Sequence, residues 1–184
     1  MKNKKVVLGL SGGVDSTTAA LLLQEKGYEV IGLYFDAMGK GREDAGAVRA
    51  ETAAQQLGIR FLYRDVSNIF REKVIGNFCS EYVCGRTPNP CIVCNPNVKF
   101  KVLLAAADEE GADWIATGHY AGTYRDPESE EWFIQRAKSE ARDQSYMLYR
   151  LGKDVISRLI LPLNDAEDKE AVREIARKKA LKNA

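Results

Sequence analysis

Four cysteines are the first residues in this chain with chemistry to offer. Cys79, Cys84, Cys91 and Cys94 are its only cysteines, spaced C-x4-C-x6-C-x2-C in a sequence of 184 residues. In a reducing compartment, thiols gathered this closely serve metal, cluster or sulfur chemistry rather than a disulfide framework. Three uses fit. Cys84, Cys91 and Cys94 could hold a [4Fe-4S] cluster with one iron left open. Cys91-Ile-Val-Cys94 could cycle between dithiol and disulfide, with Cys94 carrying a sulfur and Cys91 resolving it. All four, with Cys79 as the fourth ligand, could close a zinc site, although the spacing lacks the usual two paired knuckles. The order of preference is cluster, thiol pair, zinc. Pro88 and Pro90 predict a rigid loop in each case.

Ser11-Gly-Gly-Val-Asp-Ser16 offers a different chemistry, that of an anion cradle. Gly12 and Gly13 let backbone amides turn toward a ligand with no Cβ in the way. A helix opening there adds unsatisfied N–H groups and the positive end of a dipole, and Ser11 and Ser16 add hydroxyl donors. An acid, Asp15, inside an anion site makes sense if it holds a magnesium ion bound to phosphates. No lysine stands where a Walker loop needs one, and the G-x-G-x-x-G of a dinucleotide fold is absent as well.

Alternating elements must position these two stretches. Apolar runs predict strands over 5–10, 28–36, 59–65 and 113–117, and helices are expected over 16–26, 43–57, 97–110 and 167–179. Two short helical stretches cover 66–83, the Gly85–Pro90 segment is too rich in turn residues to be regular, and 123–135 resembles a hairpin around Asp126-Pro127. The rest, about 145–184, is expected to be a mainly helical extension of a single domain spanning 1–184. Strands alternating with helices predict an α/β fold, a parallel sheet flanked by helices on both faces. In such sheets ligands bind at the carboxyl ends of the strands, where the loops after 10, 36 and 117 carry the unusual residues.

Other residues carry two readings each. Lys99 and Lys101 could meet phosphate or RNA, or simply line a solvated helix face. His119, the only histidine, follows the fourth strand, and Asp36 ends the second. Trp114, Trp132, Tyr146 and Tyr149 read as packing residues. Lys plus Arg number 27 against 26 acids, a net charge of +1, which excludes a strongly basic nucleic-acid-coating domain. Only the C-terminal stretch is locally basic, with Arg173, Arg177, Lys178, Lys179 and Lys182 against Glu174. The apolar part of the N-terminus is too short for a leader and no run is long enough to cross a membrane, so a cytoplasmic location is expected.

Ser-Gly-Gly-Val-Asp-Ser resembles the signature loop of the PP-loop, or N-type ATP pyrophosphatase, superfamily. That loop grips the pyrophosphate end of ATP while a substrate attacks the α-phosphate. Gly85-Arg-Thr-Pro-Asn-Pro90, Cys94-Asn95, Val98-Lys-Phe-Lys101, Ala116-Thr-Gly-His-Tyr120, Asp143-Gln-Ser-Tyr146 and Leu161-Pro162 resemble, in order and spacing, the tRNA-specific 2-thiouridylases. The resemblance implies that Gly9, Leu10, Ser11, Gly12, Gly13, Val14, Asp15, Ser16, Phe35 and Gly118 contact ATP with magnesium. It implies that Asn89, Pro90 and Cys91 approach the target base, and that His119, Arg142, Asp143 and Gln144 lie near tRNA. Cys94 would be a catalytic cysteine, with Cys91 and Asp15 assisting. The implied activity is adenylation of a uridine followed by sulfur insertion, with sulfur from a donor protein or sulfide.

The chain also departs from the family pattern. Cys91 stands where the family usually has an acid, and the pattern does not require Cys84. The family's second catalytic cysteine lies beyond the last helix, and no such residue occurs through Ala184. A relay between two distant cysteines is therefore not expected within these residues, which read as a stand-alone catalytic domain. A near-neutral domain needs help to grip tRNA, from a homodimer, a partner or the basic 173–184 segment. The rival readings are a PP-loop sulfurtransferase acting on a small molecule, and a nucleotide- and metal-binding protein without turnover.

Overall fold

The computed structural model describes residues 3–179 and 181. Its centre is a five-stranded parallel sheet in the order β3-β2-β1-β4-β7, formed by β1 (Lys5–Gly9), β2 (Glu29–Asp36), β3 (Arg60–Asp65), β4 (Trp114–Ala116) and β7 (Leu159–Ile160). β1 is central because it can be: Val6, Val7 and Leu8 are all fully buried, as a strand covered on both faces must be. Successive side chains alternate between the faces. Val6 and Leu8 join Ala19, Ala20 and Leu23 of α1 (Val14–Glu25), Ala50 and Ala54 of α2 (Ala45–Leu57), and Val172 of the C-terminal helix α8 (Lys169–Lys178). Val7 joins Phe100, Leu103 and Ala107 of α6 (Phe100–Glu109), together with Val155 and Ile156 of α7 (Lys153–Ile156), on the opposite face. The expected α/β architecture is present, with helices on both faces.

Three differences from the sequence reading matter. The expected extension over 145–184 is not only helical, because Leu159–Ile160 forms β7 and pairs with β4. Two residues are too few to show a period, so the strand is visible only through its neighbour. The helix expected from residue 97 begins earlier, at Pro90. It runs as α5 (Pro90–Cys94), a π-helical turn over Asn95–Lys99, and α6. Asn89 caps it, its Oδ1 accepting from the Cys91 amide at 3.1 Å, and Pro90 sits at the first helical position, where its missing N–H costs nothing. Cys91 and Cys94 thus lie on a helix rather than in a loop. Tyr146 and Tyr149, read as packing residues, are exposed.

A similar run of α3 (Ser67–Phe70), a π-helical turn over Arg71–Ile75 and α4 (Gly76–Val83) covers 67–83. The expected hairpin is β5 (Gly122–Arg125) paired antiparallel with β6 (Trp132–Gln135). Among the described residues no helix is long and apolar enough to cross a membrane. The basic C-terminal segment is mostly neutralised. Arg173 and Arg177 pair with Glu170, Lys178 with Glu174, and Lys179 with Glu25, while Lys182 lies outside the described residues.

Candidate active site

The turn between β1 and α1 is held by its own hydroxyls. Ser11 and Ser16 Oγ atoms lie 3.0 Å apart, Ser16 Oγ accepts from the Ser11 amide at 3.2 Å, and Ser16 and Thr17 hydroxyls donate to the Gly13 carbonyl. No side chain caps the helix at Gly13, so its first amides remain available to an anion. Gly12 has φ of +74°, and a Cβ there would lie 2.6 Å from the Ala50 nitrogen of α2. A Cβ on Gly118 would lie 3.0 Å from the Ser16 nitrogen, so the loop after β4 presses against the helix start as only glycine allows.

These contacts shape a cavity of about 200 Å³ at the carboxyl end of the sheet. Gly9, Leu10, Ser11 and Ser16 line it from the turn, Tyr34 and Phe35 from the end of β2, Thr117, Gly118 and His119 from the loop after β4, and Lys99 from the turn that follows Cys94. Of the residues expected at ATP, Gly9, Leu10, Ser11, Ser16, Phe35 and Gly118 reach this cavity. Gly12, Gly13 and Val14 build the turn behind it. Tyr34, Thr117 and Lys99 are additions, two of them hidden in strand-end positions that a sequence reads as packing.

Asp15 is placed elsewhere. Its Oδ1 accepts from the Tyr120 hydroxyl at 2.9 Å, and Lys169 Nζ stands 3.9 Å from Oδ2. It faces a second pocket, of about 250 Å³, lined by Tyr120, Arg142, Asp143, Gln144, Tyr146 and Lys169. Three of the four residues expected near tRNA, Arg142, Asp143 and Gln144, therefore share a pocket with Asp15, whereas His119 lines the first cavity. Asp143 accepts from the Ala137 amide and the Ser145 hydroxyl, and Gln144 Oε1 accepts from the Tyr120 amide, so both brace the segment, while Arg142 is exposed. Burial raises the Tyr120 pKa, and its hydrogen bond to Asp15 raises it further.

His119 lies in the wall of the first cavity. Its Nδ1 is 2.7 Å from Thr117 Oγ1 and its ring stacks on Phe100 at 6.3 Å. Burial, with the Lys99 ammonium nearby, lowers its pKa to about 3, so it is neutral at physiological pH. Asp36 is a loop anchor. Burial would raise its pKa, but the Tyr63 hydroxyl at 2.6 Å and backbone amides of the following loop outweigh that and hold it at about 2.

On the sulfur side Cys94 is half-buried, which pushes its thiol up despite the opposing Lys99 ammonium and amide. Asn95 Nδ2 donates to the Met147 carbonyl at 2.9 Å and ties this helix to the residue that follows Tyr146. Asn89 and Pro90 open the helix and Cys91 is exposed. The expected metal site is not assembled as the thiols are placed. Among the described residues no three cysteine, histidine or carboxylate side chains come together to hold a metal ion, and all four thiols are free. Cys79 and Cys84 ride on α4 and its C-terminal end, whereas Cys91 and Cys94 open the next helix, with Gly85–Asn89 between them. The thiols as placed fit neither a [4Fe-4S] cluster nor zinc.

A parallel sheet whose first strand delivers a glycine-serine turn to an open helix start, facing a cavity at the strand ends, defines a domain of the PP-loop class. Solved structures share the fold. The U34-tRNA thiolase NcsA of Methanococcus maripaludis, described with its [4Fe-4S] cluster, aligns with a TM-score of 0.59 at 23% identity over 98% of this chain and 58% of its own. An NMN synthetase from Francisella tularensis aligns at 0.57 and 17% identity, over 97% and 63%. The profile of the family described as tRNA methyl transferase HUP domain matches residues 4–184, and the chain belongs to that family. It is homologous to the tRNA-specific 2-thiouridylases MnmA of Desulfitobacterium hafniense (44% identical, over 98% of this chain and 50% of the relative) and Clostridium acetobutylicum (42%, over 95% and 51%). The chain spans about half the length of these relatives.

Proposed function

We propose that this domain adenylates a tRNA uridine with ATP and supports its thiolation. The observation that carries the reading is the cavity wall itself. The turn that suits a triphosphate and the residue that adjoins the Cys94 sulfur, Lys99, line one space. The uridine O2 would attack the α-phosphorus, forming the O–P bond as the bond to pyrophosphate breaks. Amides at the start of α1 and the Ser11 and Ser16 hydroxyls would stabilise charge on the phosphates. The Asp15 carboxylate faces Tyr120 and Lys169 in the neighbouring pocket, so no step of the adenylation is assigned to it.

Sulfur then displaces AMP at C2. A persulfide donor, R–S–SH, would pass its sulfane sulfur to the Cys94 thiolate and leave as R–SH. The terminal sulfur of the Cys94 persulfide attacks C2, and the C2–O bond breaks with AMP carrying the oxygen away. Cys91, three residues back on the same helix, attacks Cys94 Sγ, which frees the thiouridine and leaves a Cys91–Cys94 disulfide. An external dithiol resets the pair. The test incubates the protein with ATP, unmodified tRNA and a persulfide donor, and measures AMP, pyrophosphate and thiouridine. All three should form in equal amounts and depend on tRNA. No AMP or pyrophosphate would sink the reading, and RNA-independent turnover with a small acceptor would redirect it to a small-molecule substrate.

A further inference from the structure

We propose that Lys99 binds the α-phosphate of the nucleotide, at the point where the nucleotide cavity meets the cysteine helix. The inference rests on the nucleotide reading above and deepens it by assigning a residue that no loop motif contains. Lys99 lines the same cavity as Ser11 and Ser16 of the turn, together with Thr117, Gly118 and His119. It ends the π-helical turn over Asn95–Lys99, which places one residue more in the turn than an α-helix would and rotates the start of α6. Its neighbour in type, Lys101, is exposed, so the two lysines that the sequence presents alike are separated by the fold.

The Lys99 side chain is part-buried. Among the described residues no carboxylate pairs with it and no side-chain or carbonyl oxygen accepts from it, whereas Lys169 in the adjacent pocket faces Asp15. Burial is the larger effect and lowers its pKa, while the Cys94 and Cys91 sulfurs favour its charged form. A cation held in a cavity wall with neither a carboxylate nor bulk water to solvate it fully is a site for an anion. The anion's position is set by the two walls. The turn amides and serine hydroxyls engage the pyrophosphate end, and Lys99 stands on the side of Cys94, where the bond to the departing group must lie. Of the three phosphates only the first is bonded to the nucleoside and retained through both steps. A fixed ammonium there would stabilise the nucleotide as substrate, as adenylate and as departing AMP.

The test is calorimetric binding of adenosine, AMP and ATP to the wild type, Lys99→Met and Lys99→Arg, each first shown to melt cooperatively. The expected result is a loss of about ten- to hundredfold in AMP and ATP affinity for Lys99→Met, the size of one charge-assisted hydrogen bond. Adenosine affinity should be unchanged, and Lys99→Arg should recover most of the loss. Equal losses for adenosine and AMP would show a packing role and overturn the assignment. Loss for ATP with AMP unchanged would move the lysine to the β- or γ-phosphate, which also overturns it. Unchanged binding in a folded Lys99→Met does the same. A wild type that binds none of the three ligands overturns the nucleotide reading itself, which separates the two failures. If Lys99→Met does not fold, Lys99→Gln keeps a polar tip and is expected to show the same pattern.

Discussion

The two walls of the cavity are built to different standards. The nucleotide wall is complete before any ligand arrives. Its turn is locked by four hydroxyl contacts, its glycines allow approaches that no Cβ would survive, and Leu8, Leu10 and Ala116 bury it from behind. The cysteine helices, which meet the cavity only through Lys99, are not. Cys79, Cys84 and Cys91 face solvent, the four thiols do not converge, and the one half-buried thiol, Cys94, has its pKa raised by that burial. On the proposed function the contrast follows from the ligand each side would bind. A phosphate cradle is made of backbone groups, which secondary structure fixes at once. A sulfur site made of mobile thiols acquires its reactive state only when donor and acceptor are present.

Changes on the two walls should therefore fail differently. Cys94→Ser is expected to have the largest effect, a loss of thiouridine and AMP formation by about a thousandfold or more, with pyrophosphate formation retained up to one equivalent of adenylated tRNA. Quantifying the three products in one reaction checks this. Gly12→Ala should break the other wall. Strain at φ +74° and the 2.6 Å approach to α2 predict a loss of about 2–4 kcal/mol in chemical denaturation, and loss of ATP binding.

Asp36→Ala tests how far the rigid wall extends. It removes the acceptor for the Met38, Gly39 and Gly41 amides and the Tyr63 hydroxyl, and should cost about 2–3 kcal/mol. The pH dependence has a definite sign. The folded pKa of about 2 lies below the ordinary 3.8, so this carboxylate's contribution is complete above about pH 4 and is lost as pH falls through 2. Acid titration of the wild type's stability should show that component, and Asp36→Ala should lack it. The smallest effect is expected from Cys79→Ser. An exposed thiol outside any metal site should change stability by less than about 0.5 kcal/mol in urea and leave thiouridine formation within twofold. A large loss would mean that the four cysteines converge in the working state.

Much of the nucleotide wall was legible in the sequence because its signals are local. Branched residues at 6 and 7 followed by Leu8, the paired glycines at 12 and 13, and Gly58 in a left-handed helix end each act within a few residues. What escaped depends on distance along the chain. Asp15 belongs to the motif, yet Tyr120 and Lys169 turn its carboxylate into the neighbouring pocket. The cysteine spacing suggested a ligand set, but spacing does not reveal that two thiols ride one helix and two the next. Lys99 and Lys101 differ by two positions in the sequence and by one wall of a cavity in the fold.

The most direct test of the shared cavity is exchange of labelled pyrophosphate into ATP in the presence of unmodified tRNA. The wild type and Cys94→Ser should both catalyse it, and Gly12→Ala should not. Exchange that disappears with Cys94→Ser, or that never occurs in the wild type with tRNA bound, would contradict an adenylating wall that works ahead of the sulfur.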